Sequence, residues 1–413
     1  MKKHLLKKFF LILIIIIAVL LSAPCGRKKN VSENIHEVIF WTLQMSDFSD
    51  YMNGVISEFE TQNPDIKIKW IDVPFSEGEK RTLASVMSDN PPDLINLNPD
   101  FSATLAQKGT LFEIPADSTL DFNDEIIDSL KYNGKLYSIP WYATSAVTIY
   151  NKNLVQKSGI SVPKTYFELK AAAPIVRDKT KAYIFLPNIT ENDTMLKILN
   201  KYGINSYETI NSEKSAEVFG LFKELYQNNL IPKESITQTH REALEKYMSE
   251  NVVLFQAGAN FLNQIQENAP KTYENTDVAS QLTGEMGQND FSLMNFVIPL
   301  RAKNKDEALK FALFLTNEEN QLALAHLTNV IATNKKALKN DFYTKYDEKD
   351  LMAKARVISA SQLNKIQPAL RSERNQKDIN NLINSAVQEI LLDKAATKEV
   401  LDKVSKDWKN LAD

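Results

Sequence analysis

Apolar positions along the chain alternate between two spacings, and the spacings mark out its elements. Val38 to Trp41 (VIFW) is a short unbroken apolar run, as a strand buried on both faces would read. Met52, Val55, Ile56 and Phe59 then recur at helical spacing within Asp47–Gln62, and Asn63-Pro64 stops that helix. Ile66, Ile68 and Trp70 alternate with Lys67 and Lys69, the pattern of a strand with one wet face. A helix follows over Glu79–Ser88 and ends at Asn90-Pro91-Pro92. Leu94–Leu97 is a strand, and Phe101–Lys108 a short helix closed by Gly109. Strand, helix, strand, helix, strand predicts a mainly parallel α/β sheet.

The middle of the chain repeats the theme. Gly134–Pro140 reads as turn plus strand, and Val147–Tyr150 (VTIY) as a further strand. Thr165 with Glu168 predicts a capping box at the start of a helix that Pro174 kinks or ends. Ser215–Tyr226 puts Val218, Phe219, Phe222, Leu225 and Tyr226 on one helical face. Val252–Phe255 (VVLF) is a buried strand, Glu307–Leu315 an apolar-rich helix, and Asp350–Asp413 is helical in pattern almost throughout.

The N-terminus departs from both spacings. Met1–Lys8 is basic, Phe9–Leu21 is wholly apolar, and small residues precede Cys25, the single cysteine. Positive charge, a short apolar run and small residues are the layout of an export signal, giving 1–24 as signal and 25–37 as tether. Cys25 resembles the lipid-modified cysteine of bacterial lipoproteins, which implies a membrane anchor there. Pro24 and the placement of Leu21 depart from that pattern. Basic and acidic residues nearly balance, 49 against 52, which argues against a nucleic-acid partner. There is no GxGxxG or GxxxxGK[ST] motif, no metal-ligand spacing among His4, His36, His240 and His326, and no GxSxG elbow. Hence no cofactor, metal or serine nucleophile is expected; a glycosidase-type carboxylate pair from distant residues stays open, though nothing points to one. Gly284 and Gly287 mark a loop.

Several segments carry a resemblance in their order. They run Phe40-Trp41-Thr42, Phe59-Glu60, Asn63-Pro64 with Ile66-Lys67-Ile68, and Pro92-Asp93-Leu94 with Asn96-Leu97-Asn98. Gly134-Lys135-Leu136-Tyr137, Pro140-Trp141-Tyr142, Ile149-Tyr150-Asn151-Lys152 and Pro163-Lys164-Thr165-Tyr166 follow, then Ala308–Asn317 with Gln321. Together they resemble the maltose-binding-protein-like, carbohydrate-uptake class of bacterial extracellular solute-binding proteins (family 1), which serve ABC importers. Tyr166 stands where that family usually has Trp, and Met248–Asn251 lacks its glycine. The resemblance implies an α/β fold of two lobes joined by a hinge, with ligand in the interlobe cleft. Residues 38–143 plus 297–329 would form one lobe and 144–296 plus 330–413 the other. It implies a non-enzymatic monomer that captures a mono- or oligosaccharide, and ABC permease subunits as partners. The alternatives are an exported carbohydrate-active enzyme, the same fold holding a non-sugar polar solute, and a surface adhesion or sensor component.

A sugar presents apolar C–H faces and a rim of hydroxyls, so its site needs aromatic platforms and planar amides or carboxylates. Residues of those types at strand ends are the candidates. Trp41 and Gln44 follow the first strand, with Thr42 between; Asn96, Asn98 and Asp100 end another, Asp100 being the better helix cap. Trp141 and Tyr142 stand at the presumed hinge, and Phe255, Gln256 and Asn260 follow the later strand. Asn188 closes Ile184–Pro187. Trp70 and Trp408 read as packing residues.

Overall fold

In the computed structural model, residues 35–366 and 375–412 are described, so the signal, most of the tether and Cys25 lie outside the described residues. The strands form two main sheets. The first contains β1 (His36–Leu43), β2 (Ile66–Val73), β3 (Leu94–Leu97), β6 (Ser138–Thr144), β11 (Ser292–Val297) and β12 (Ile331–Ala332), in the order β12-β6-β11-β3-β1-β2. The second contains β7 (Val147–Asn151), β8 (Tyr183–Phe185), β9 (Val252–Ala257) and β10 (Thr276–Ser280), in the order β10-β7-β9-β8. A small hairpin pairs β4 (Lys131–Tyr132) with β5 (Lys135–Leu136).

The sheets are mixed rather than mainly parallel. β1 pairs parallel with β2 and β3, but β11 enters antiparallel between β3 and β6. In the second sheet only β8 and β9 are parallel. The consecutive βαβ units at the N-terminus are legible locally; the late strand that joins them from far along the chain is not.

Each lobe buries its own core. On one face of the first sheet, Phe40 meets Phe296 and Phe311 edge-on at 5.7 and 5.3 Å, with Phe59 beside Phe311. The opposite face buries Leu43, Val73, Ile95, Leu97 and Leu105. In the second lobe the helices Tyr166–Thr180, Glu213–Gln227, Gln376–Leu391 and Thr397–Ala412 pool Leu169, Phe222, Leu225, Ile383 and Trp408. Asp93 ties the first lobe together at its rim. Its carboxylate accepts hydrogen bonds from the backbone N–H groups of Ile39, Lys303 and Asn304 at 2.9–3.0 Å.

Helix starts follow side-chain chemistry, with corrections to the sequence expectation. Asn98, not Asp100, caps Pro99–Gln107 by accepting from Phe101 N–H at 2.8 Å. Thr165 accepts from Glu168 N–H, but Glu168 turns to Lys164 N–H; the reciprocal box forms instead at Thr239 and Glu242. Pro174 lies within Tyr166–Thr180, which continues past it.

The chain passes between the sheets at 144–147, again over 281–291, and a third time after β12, where helix Leu351–Ser361 packs on β10. A buried polar block gathers these passages. Gln362 Nε2 donates to Ser145 Oγ and to the Ala146 carbonyl, both at 2.9 Å, and Gln281 N–H donates to Gln362 Oε1 at 2.7 Å. Gln281 Nε2 reaches Ser145 Oγ and the Asp290 carbonyl at 3.0 Å. Buried amides placed this way leave little unsatisfied, so the junction is defined rather than loose.

Candidate functional site

A cavity of about 290 Å³ opens against this junction. Its lining comes from the ends of strands and from the passages: Thr144 and Ser145, Pro187 and Asn188 after β8, Gln256 and Gly258 at the end of β9, and Asp290 with Ser292. The remaining wall is helix Thr194–Asn200, with Tyr166 and Phe185 beside it. Met195, Leu196, Ile198 and Leu199 bury its apolar faces, while Asp193, Lys197 and Lys201 are spaced four apart. That spacing stacks three charges along one helical face. Lys197 and Asp193, both lining the cavity, form an ion pair at 3.2 Å.

Lys201, one turn deeper, is fully buried. Its ammonium donates to Gln281 Oε1 and the Leu282 carbonyl, both at 2.7 Å, and pairs with Asp290 Oδ2 at 3.2 Å. Burial pushes the Lys201 pKa down, with Asp290 opposing the shift. Burial also works against the charge on Lys197, but Asp193, Asp290 and Asp100 together hold its pKa above the ordinary lysine value. Asp100 belongs to the first lobe. Its pKa is raised, by desolvation first and then by Asp193. Of Asp193, Asp290 and Asp100, Asp193 is the one in ion-pair contact with Lys197.

A second hollow, of about 660 Å³, lies at the ends of β1 and β2, lined by Gln44, Ser46, Asp72, Pro74 and Ser76. Asp72 shapes it, accepting from Thr42 Oγ1 at 2.7 Å and from the N–H groups of Met45 and Ser46 at 2.9 Å. Gln44, at φ 54°, sits in the left-handed turn that this capping creates.

The candidates read from the sequence separate into three groups. Asn188 and Gln256 line the cavity; Asn188 also donates to Glu191 at 2.6 Å, and Gln256 Oε1 accepts from Leu282 N–H at 3.3 Å. Gln44 lines the second hollow, and Asn98, the helix cap, donates to Glu79. Asn260 is exposed, with its amide oxygen folded over Gly258. Trp41 is half-buried under Arg81 in the first-lobe core, and Tyr142 is half-buried with its phenol pushed up to about 12 by burial. The third group is core. Trp141 has no exposed surface and stacks on Phe296 at 4.7 Å, so Phe296 covers the face a sugar would use. Phe255 packs between Tyr247 and Phe261, and Asn96 is buried within the first sheet, donating to the Asn295 carbonyl. None of these three offers a surface to a ligand. Asp193, Lys197, Lys201 and Asp290 escaped notice; four-residue charge spacing on an otherwise apolar helix was the signal for the first three.

Among the described residues, no group of three or more His, Cys, Asp or Glu is placed to hold a metal ion. No helix there is long and apolar enough to cross a membrane. Amides, carboxylates and one accessible ammonium around a cavity can donate to and accept from a polyhydroxylated solute.

Two sheets, three chain passages between them and a polar cleft at the passages define a two-lobed receptor for a small solute. The chain belongs to the family of bacterial extracellular solute-binding proteins, whose sequence profile residues 54–351 match. That family places it outside the cytoplasm. It is 23% identical to the galactooligosaccharide-binding protein of Bacillus subtilis, covering 94% of this chain and 93% of that one. A crystal structure of a periplasmic-binding protein from Synechococcus sp. MITs9220 superposes with a TM-score of 0.82 at 27% identity, over 91% of this chain and 98% of the other. The cyclic alpha-maltosyl-1,6-maltose binding protein of Arthrobacter globiformis shares the fold at TM-score 0.76 and 17% identity, over 91% and 98% of the two chains.

Proposed function

We propose that the protein captures a carbohydrate outside the cell membrane and delivers it to an ABC importer. The observation that carries this reading is the cleft lining. Asn188, Gln256, Lys197, Asp193 and Asp290 converge on one cavity at the junction of the lobes, the donor and acceptor set that sugar hydroxyls require. A galactooligosaccharide-binding protein matches 94% of this chain and a multiple sugar-binding protein 75% of it. The mechanism is hinge closure: ligand touching both lobes stabilises the closed form by its differential contacts, and the closed form docks on the permease. The reading assigns no reaction to the cleft. In it the receptor acts as a monomer, Cys25 carries the lipid that anchors it, and the lobes divide within the passages at 144–147, 281–291 and beyond β12 rather than at 296/297 and 329/330, because β11 and β12 pair within the first sheet. Mass spectrometry of the mature N-terminus tests the anchor, a plain cleavage product rejecting it.

The functional test is a thermal-shift screen of the protein against galactooligosaccharides, maltodextrins and monosaccharides, followed by calorimetry. A ligand that binds only the folded state raises its apparent stability by mass action. A saccharide-dependent rise without turnover supports the reading. Sugar hydrolysis, or a shift only with non-sugar solutes, would overturn it.

A further inference from the structure

The buried ion pair at the back of the cleft has more structure than a fold needs. We propose that Asp290 is the fixed hydroxyl-accepting anchor of the cleft and that Lys201 is its positioning residue. The inference rests on the sugar-binding reading of this cavity.

An ammonium has three N–H donors, and Lys201 spends all of them on one short stretch of chain: Gln281 Oε1, the Leu282 carbonyl and Asp290 Oδ2. That stretch is the second passage between the lobes. Its backbone is pinned from the other side as well, since Ser145 Oγ and Gln281 Nε2 both donate to the Asp290 carbonyl and Asp290 N–H donates to Gln281 Oε1. Gly284 lets the passage lie flat on Lys201; a Cβ there would come within 2.3 Å of the Lys201 carbonyl oxygen. Asp290 is thus held at both its main chain and one carboxylate oxygen. The side chain keeps 25% exposure, on the cavity side, and its second carboxylate oxygen accepts no hydrogen bond from the described residues.

A buried ion pair is poor value as a stabiliser, because desolvation offsets the attraction and apolar residues of similar volume do as well. One that holds a carboxylate oxygen open at a cavity wall has a use. Charge-assisted hydrogen bonds are about twice as strong as neutral ones, and a fixed acceptor loses little entropy on binding. Asp193 is less suited, since its partner Lys197 keeps 33% side-chain exposure where Lys201 keeps none. The charge balance also sets a preference. With Lys197 paired to Asp193 and Lys201 to Asp290, neither cation is left without a carboxylate partner, so the cleft favours a neutral saccharide over the corresponding uronic acid.

The test uses the full-length protein with a galactotriose and a maltotriose probe, each also offered as its uronate, in calorimetry and urea unfolding. Asp290→Asn should weaken the better neutral probe about ten- to hundred-fold. Lys201→Met should weaken binding and lower the unfolding midpoint, since it strands the carboxylate. The double variant Lys201→Met with Asp290→Asn should recover much of that midpoint but bind no better than Asp290→Asn alone, a split that a purely structural pair would not produce. Affinity of Asp290→Asn within twofold of the parent, recovery of affinity in the double variant, or tighter binding of a uronate overturns the inference and leaves the sugar reading standing. Failure of the parent to bind these trisaccharides or any other saccharide of the thermal-shift screen overturns both.

Discussion

Trp141→Ala separates a core residue from a ligand platform. The indole is fully buried, stacked on Phe296 at 4.7 Å and edge-on to Tyr142 at 5.0 Å, in the strand next to the one that closes the first sheet. Among the described residues its Nε1 has no hydrogen-bond partner, so the cost is one of packing. The carbonyl of Trp141 accepts from Gln321 Nε2 and Thr333 Oγ1, bonds that the substitution leaves in place. Truncating a buried Trp costs about 3–5 kcal/mol in transfer and cavity terms. With a urea slope near about 3 kcal/mol/M, the first-lobe transition should move down by about 1 M or more. Trp408 lies in the second-lobe core, so its fluorescence should report a transition that moves much less. Trp141→Phe, which keeps an aromatic ring against Phe296, should recover most of the loss. Saccharide affinity, measured where both variants are folded, should then stay within a few-fold of the parent. A large loss of affinity at an unchanged unfolding midpoint would refute the reasoning and return Trp141 to the cleft.

Further expectations follow from the packing. Gly284→Ala should destabilise by about 1–3 kcal/mol, because its Cβ meets backbone rather than a yielding side chain; an unchanged melting temperature would contradict that. Asp93→Ala strands three backbone N–H groups and should cost at least about 2 kcal/mol in denaturant unfolding, with ligand affinity preserved. Asp277 meets Lys354 at 2.8 Å, tying β10 to helix Leu351–Ser361. Burial raises its pKa, but hydrogen bonds from Lys354, Val278 N–H and Tyr150 outweigh burial and lower it overall. A depressed carboxylate pKa stabilises above its unfolded value, about 3.9, and the contribution fades as pH falls through the folded one. The gap in melting temperature between the parent and Lys354→Met should therefore be present at pH 6 and shrink by pH 3; a constant gap would show that the pair is not the cause.

Local order was readable because it depends on neighbours in sequence. The apolar runs at Val38–Trp41, Leu94–Leu97 and Val252–Phe255 and the helical stripe of Ser215–Tyr226 all fall within their elements. What pairs with them was not readable. β11 pairs with β3 across nearly 200 residues, and nothing in the spacing of Ser292–Val297 announces antiparallel entry. The site suffered from the same blindness. An aromatic after a proline at a strand end looks available, yet Trp141 points into a core completed by Phe296, more than 150 residues later. Lys201 and Asp290 are ordinary surface residues to a sequence reader; only the junction of the passages makes them partners.

The position of β11 has a consequence for the making of the protein. It fills the centre of the first sheet, between β3 and β6, so the N-terminal third of the chain cannot complete its sheet until residues near 297 are available. During synthesis, the early strands wait as an open, incomplete sheet while the whole second-lobe sheet is still being made. Pairings so distant in sequence also form slowly. For a polypeptide whose family works outside the cytoplasm, this topology lengthens the interval between synthesis of the first strands and completion of their sheet.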